Sequence, residues 1–119
     1  MKIDNFIKIK EEKRPWGNFR EFVKNEKATV KILTIQPNEE LSLQSHHQRQ
    51  EFWRILSGAP TIQIGAEKIM ATAGEEFFIQ REIQHRAIAG AEKTEILEIS
   101  FGEFSENDEI RVEDKYGRV

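Results

Sequence analysis

The stretch Leu41-Ser42-Leu43-Gln44-Ser45-His46-His47-Gln48-Arg49-Gln50-Glu51-Phe52-Trp53 decides how this chain is read. Between Gln44 and Glu51 it gathers an amide, two of the three histidines and a carboxylate, with strand-like sequence on both sides. Side chains alternate faces along a strand, so Gln44 and His46 point the same way. Glu51 follows after a polar segment able to turn the chain, which lets it face them from a neighbouring strand. His85, the remaining histidine, opens another strand-like run downstream. An amide oxygen, two imidazoles and a carboxylate suit a borderline-hard divalent ion. The expectation is one metal site, built by Gln44, His46, Glu51 and His85 inside a small β-barrel. The bland alternative is a surface histidine pair in a polar loop, with His85 hydrogen-bonded in the core. Alternation turns His47 away from His46, unless a bulge brings it into a ligand position.

Outward from this stretch the chain keeps a strand rhythm. Val30-Lys31-Ile32-Leu33-Thr34-Ile35 alternates, with Lys31, Leu33 and Ile35 sharing one face. Strands are expected around 18–23, 28–35, 41–46, 51–56, 61–64, 68–70, 76–79, 85–89 and 94–101. Pro37-Asn38, Ser57-Gly58, Gly65-Ala66 and Ala73-Gly74 punctuate them at turn intervals. Many short strands with frequent turns predict an all-β sandwich or barrel. Residues 1–13 read as an N-terminal arm or edge strand, and Arg14-Pro15-Trp16-Gly17 as a turn with an aromatic anchor. Trp16 and Trp53 are expected to pack in the core or at the barrel mouth. Residues 103–119 form a polar tail, with a helix start at Ser105-Glu106-Asn107-Asp108.

The bulk numbers narrow the function. A chain of 119 residues supports one domain, residues 1–119, with one core. The net charge is -3 with no basic block, which argues against nucleic acid and anionic membranes as partners. No apolar run is long enough to span a bilayer, and the first residues lack the apolar core of a signal peptide. A cytoplasmic location is the simplest expectation. With no cysteine, any metal must be held by nitrogen and oxygen donors.

Several segments, in order, resemble the cupin domain of type II mannose-6-phosphate isomerases, a domain often fused to a mannose-1-phosphate guanylyltransferase. They are Arg14-Pro15-Trp16-Gly17, Val30-Lys31, Leu41 through Arg49, Glu51-Phe52-Trp53, Ser57-Gly58, His85-Arg86, and Arg111 through Asp114-Lys115-Tyr116-Gly117-Arg118. The resemblance implies a cupin-type jelly-roll β-barrel with a short helical or irregular C-terminal tail. It implies a divalent metal (Zn, Mn, Fe or similar) on Gln44, His46, Glu51 and His85. It further implies interconversion of mannose 6-phosphate and fructose 6-phosphate, and dimerisation through edge strands, for which the N-terminal arm is the expected element. Asn38 stands where the family usually turns at Pro-Gly, a place a left-handed residue tolerates.

Aldose–ketose isomerisation removes a weakly acidic proton beside a carbonyl and stabilises the enediolate that results, which a Lewis-acidic ion favours. A site with one carboxylate and three neutral donors stays net positive and attracts a sugar phosphate. Arginine matches phosphate geometry, making Arg49, Arg111 and Arg118 the substrate-binding candidates, the last two also catalytic. Lys31 is one candidate for the general base, if its face points inward; Lys115, Glu113 and Asp114 are others. Arg86, beside His85 on the opposite face, reads as structural. Two alternatives stand beside the isomerase. One is a non-catalytic sugar or sugar-phosphate binding cupin partnering a separate guanylyltransferase. The other is an Fe(II) oxygenase or epimerase using His46, His85 and Glu51.

Overall fold

In the computed structural model, residues 8–118 are described. Eleven strands occur among them: β1 (Lys10–Arg14), β2 (Gly17–Glu21), β3 (Ala28–Ile35), β4 (Leu43–His46), β5 (Arg49–Ser57), β6 (Thr61–Ile64), β7 (Glu67–Met70), β8 (Glu76–Ile79), β9 (His85–Ile88), β10 (Thr94–Gly102) and β11 (Glu109–Glu113). β1 and β2 make a hairpin, β3-β10-β5-β8 a four-stranded sheet, and β11-β4-β9-β6-β7 a five-stranded one. The fold is all-β, as the turn spacing predicts. Its jelly roll is two facing sheets, not one continuous ring of hydrogen bonds.

Pairing registers show what each sheet turns inward. Along the four-stranded sheet Ile96 pairs with Leu33 and Ile55, Glu98 with Lys31 and Trp53, and Ser100 with Thr29 and Glu51. Cross-strand partners share a face, so Lys31, Trp53 and Glu98 lie side by side on the inner wall. In the other sheet Ile62 pairs with Ala87, and Ile64 with His85. Ile35, Trp53, Ile55, Ile79 and Ile96 from one sheet meet Ile62, Ala71, Ala87 and Ala89 from the other in the apolar core. That core fills one end of the sandwich and leaves the Glu51–Ser100 end for polar side chains.

The outer face of the four-stranded sheet is covered locally. Phe52 is fully buried, with Phe22 at 5.0 Å on one side and Phe78 at 5.3 Å on the other, centroid to centroid. Arg20 of β2 grips Glu76 of β8 through two bonds of 2.6 and 2.9 Å, tying the hairpin down. Trp16 departs from expectation. It is 72% exposed at the hairpin tip, because the turn at Pro15-Trp16 projects past the sheet that the hairpin packs on. Of the expected arm, residues 1–7 lie outside the described residues, and Lys10–Arg14 is β1.

The tail also differs from a helical or irregular one. A short 3₁₀ turn, Glu106–Asp108, starts where Ser105 Oγ accepts the Asn107 N–H at 3.2 Å. The chain then forms β11, which pairs antiparallel with β4. Asn38 adopts φ 63° in the turn that donates its N–H to Gly90 O at 2.8 Å. Asn38→Gly is therefore expected to be neutral to slightly stabilising, and Asn38→Ala to cost about 1 kcal/mol, read from urea midpoints.

Candidate metal centre

The site begins with a clamped turn. β4 ends at His46 and β5 begins at Arg49. The Asp108 carboxylate accepts the N–H groups of His47 at 3.0 Å and Gln48 at 2.8 Å. The chain thus reverses at fixed geometry, and Glu51 comes back beside His46 from the opposite sheet. His85 opens β9 and pairs across to Gln44.

His46, Glu51 and His85 offer donor atoms that all lie within 4.8 Å of one another. Glu51 Oε2 is 3.4 Å from His46 Nε2, and Glu51 Oε1 is 3.3 Å from His85 Nε2. The three residues are only 1–2% exposed. His85 Nδ1 donates to Ile83 O at 2.8 Å, so Nε2 is the nitrogen that faces Glu51, available as a ligand when it carries no proton. Among the described residues, neither Glu51 Oε1 nor His85 Nε2 has a hydrogen-bond partner. Two buried acceptors facing each other are costly unless a cation lies between them. Two donors about 2.1 Å from a shared ion, at tetrahedral or octahedral angles, lie about 3.0–3.4 Å apart. The two Glu51–imidazole spacings are of that size, so the triad could hold a divalent ion.

Protonation states agree with ligand duty. Burial pulls His46 down to about 4, so its imidazole is neutral at pH 7. Burial pushes Glu51 up, but His85, His46 and the Arg49 guanidinium together hold it down to about 2, so it is a carboxylate.

Gln44 sits on the same face as His46. With its amide nitrogen donating to Ser42 Oγ at 3.1 Å and Glu109 Oε2 at 2.6 Å, its oxygen occupies the other arm. Arg111, opposite Gln44 on β11, keeps its Nε 2.8 Å from Glu109 Oε2. Arg49 is the buried arginine of the site. Its Nε donates to Glu51 Oε2 at 3.1 Å, its Nη2 lies 3.3 Å from His46 Nε2, and its Nη1 donates to Ser105 O at 3.4 Å.

The other sequence candidates separate. Lys31 faces inward from β3, its Nζ 4.2 Å from the centroid of the Phe104 ring. Arg118 donates to both oxygens of Asp114 and lines a groove with Thr34, Ile35, Leu41 and Tyr116. Ile35 pairs with Thr94, so that groove lies at the opposite end of the β3–β10 ladder from Ser100 and Glu51. Lys115 bonds Glu39 at 3.0 Å. Glu113 and Glu40 are bridged by Arg86, a structural tie as expected. His47 is exposed, 3.3 Å from Glu82 Oε2.

Two acids that the motif spacing does not point to, Glu98 and Glu109, stand beside these groups. Glu98 is buried, accepts the Trp53 indole N–H at 3.0 Å, and is raised to about 7 by burial first and by the Glu51 charge second. An acid at an inward position of Ile96–Glu98–Ser100 was a usable signal. Glu109 had none, because β11 does not read as a strand.

A family model described as mannose-6-phosphate isomerase C-terminal matches residues 4–114. The chain belongs to this family. Its relatives include xanthan biosynthesis protein XanB of Xanthomonas campestris, 35% identical over 89% of this chain and 23% of XanB. Mannose-1-phosphate guanylyltransferase ManC of Salmonella typhimurium is 33% identical over 89% of this chain and 22% of ManC. Alginate biosynthesis protein AlgA of Pseudomonas aeruginosa is 34% identical, with the same coverages. The chain thus spans less than a quarter of these relatives' length. Among solved structures, a Klebsiella pneumoniae protein with a double-stranded β-helix domain aligns with TM-score 0.65 over 96% of this chain and 90% of that one, at 14% identity. A putative sugar phosphate isomerase from Acidithiobacillus ferrooxidans aligns with TM-score 0.58 over 62% and 49%, at 21% identity. These likenesses carry the fold: a cupin domain of the mannose-6-phosphate isomerase type.

Proposed function

We propose that this cupin is a metal-dependent aldose–ketose isomerase that interconverts mannose 6-phosphate and fructose 6-phosphate. The observation that supports it most is the buried pair Glu51 Oε1 and His85 Nε2, without a hydrogen-bond partner among the described residues, facing each other beside His46 in a chain of this family. His46, Glu51 and His85 would hold the ion, with Gln44 as the fourth ligand. A divalent ion there supplies Lewis-acid polarisation of sugar oxygens. The chain's own groups do the rest. The core closes one end of the cup, so substrate approaches from the polar end. Lys31 and Glu98, cross-strand neighbours on the facing wall, are the candidates for moving a proton.

The test is a coupled assay on protein whose metal content has been measured. Turnover of mannose 6-phosphate is expected in the metal-loaded protein, to be lost with a chelator and restored by a divalent ion. A fully metallated sample that neither converts nor binds a hexose phosphate would end the proposal. The second reading, a non-catalytic sugar-phosphate binding cupin, draws on one fact: relatives carry this domain as less than a quarter of a longer chain. It predicts saturable binding of mannose 6-phosphate with no turnover under any metal, and any isomerisation abolished by Gln44→Ala rules it out.

A further inference from the structure

The donor triad carries one negative charge, on Glu51, and the Arg49 guanidinium stands directly against it. Arg49 is 5% exposed and Glu51 1%, so this ion pair is closed off from water. Arg49 Nε donates to Glu51 Oε2 at 3.1 Å, and Nη2 lies 3.3 Å from His46 Nε2. A guanidinium has five donors and no acceptor, and it keeps its proton at any pH a folded protein meets. The contact with His46 therefore runs one way: Nη2 donates and Nε2 accepts. His46 is neutral at pH 7, so its ring proton sits on Nδ1.

The two imidazoles are thus held in different ways. His85 is oriented from behind, its Nδ1 donating to Ile83 O at 2.8 Å, the usual arrangement for a metal-binding histidine. His46 Nδ1 has no hydrogen-bond partner among the described residues. Its tautomer is selected from the front, by the cation on the very nitrogen that faces Glu51. A ring nitrogen has a single lone pair, which serves an N–H donor or an ion but not both. Glu51 Oε2 has further lone pairs and can keep its bond to Arg49 Nε while it binds an ion. His46 Nε2 cannot. Arg49 has footholds elsewhere: Nη1 donates to Ser105 O at 3.4 Å, and Cζ lies 4.3 Å from the centroid of the Phe104 ring.

We infer that Arg49 gates the ion site: its guanidinium holds the His46 Nε2 lone pair that a divalent ion needs, and it gives up that contact when the ion binds. It then keeps Glu51 Oε2, Ser105 O and the Phe104 ring. Arg49 is in this respect a positioning residue with two consequences. It keeps Nε2 free of a proton, and its positive charge and its bond to His46 both weaken the ion's hold. The site is thereby tuned to an ion that exchanges more readily than the donor set alone would allow. The inference rests on the ion site of the proposed function and is independent of the reaction carried out there.

The experiment is a competition titration of the full chain with zinc ion against a chelator of known affinity, at neutral pH. Arg49→Met is expected to bind zinc about tenfold or more tighter than wild type, the size of change that groups outside a ligand set commonly make. Arg49→Lys, which keeps the charge but loses the fork, is expected to fall between the two. The sign is what decides. An arginine that merely braced the turn would leave a looser site, and weaker binding, when removed. Heteronuclear NMR of wild type labelled at its histidine ring and arginine guanidinium nitrogens gives a reading that needs no variant to fold. His46 Nε2 is expected to be unprotonated before zinc is added, and zinc to shift the Arg49 and His46 signals in step. Equal or weaker zinc binding by a folded Arg49→Met, a protonated Nε2, or Arg49 signals indifferent to zinc would overturn the inference. Zinc binding that weakens in Glu51→Gln without tightening in Arg49→Met would sink the gate and spare the ion site. No zinc uptake by either wild type or Arg49→Met would sink both. The expected order of affinities in a chain that never turns over mannose 6-phosphate would uphold the gate and count against the isomerase.

Discussion

Glu51→Gln is expected to lower the affinity for a divalent ion by about 100-fold or more, and turnover with it, since even changes outside the ligand set commonly cost 10–100-fold. Glu51 is the only formal charge among the four proposed ligands, and it spans the two imidazoles with one oxygen toward each. An amide in its place keeps the shape and an oxygen for the Arg49 Nε–H. It loses the negative charge that offsets the positive Arg49 beside it. The fold is expected to persist, with a circular dichroism spectrum like that of wild type, while elemental analysis finds little bound metal. A variant that retains a full equivalent of metal would show that Glu51 is not a ligand, and the site would have to be redrawn.

The second large effect concerns acid stability of the metal-free protein. His46 is depressed to about 4, so between its ordinary value of 6.5 and about 4 the unfolded chain binds a proton that the native state refuses. Its contribution is complete above 6.5 and is lost as pH falls. Glu98 runs the other way. Raised to about 7 from 4.5, it holds a proton in the native state that the unfolded chain has released. Its contribution is complete below 4.5 and is lost as pH rises toward 7. Each slope is about 1 kcal/mol per pH unit between pH 5 and 6, with opposite signs, so they nearly cancel. With chelator present, wild-type stability should be close to flat across that window. Glu98→Gln should become less stable as pH falls, and His46→Gln less stable as pH rises. Urea midpoints at pH 5 and pH 6 decide it; parallel pH profiles for both variants would refute the assignment.

Much of the site was legible because strand alternation is a rigid rule. Gln44 and His46 had to share a face, Lys31 had to share one with Leu33 and Ile35, and His47 had to turn away. Glu51 was placed by the polar turn before it, although nothing in the sequence named Asp108 as the clamp of that turn. His85 stands far from the rest in sequence, and only the assembled fold puts its Nε2 beside Glu51. By sequence Arg49 is one phosphate candidate among three. Its burial between two proposed ligands and an aromatic ring depends on tertiary packing that spacing does not encode. β11 went unseen because one side of an edge strand is solvated, so Ile110 and Val112 stay exposed and the segment reads as polar tail. Trp16 goes against the tendency of large aromatics to lie in the interior. A hairpin tip is the exception, and Trp16 is 72% exposed there.

The pairing of β4 with β11 has a consequence for how the molecule is made. The wall carrying Gln44 and His46 gains its outer neighbour, and the His47–Gln48 turn gains its clamp, from residues synthesised long after them. A nascent chain halted before Asp108 has every proposed ligand already translated but lacks the segment that orders the turn between two of them. Closing so long a loop is entropically slow. Metal capture should therefore lag behind translation of the ligands and coincide with the emergence of residues 108–113.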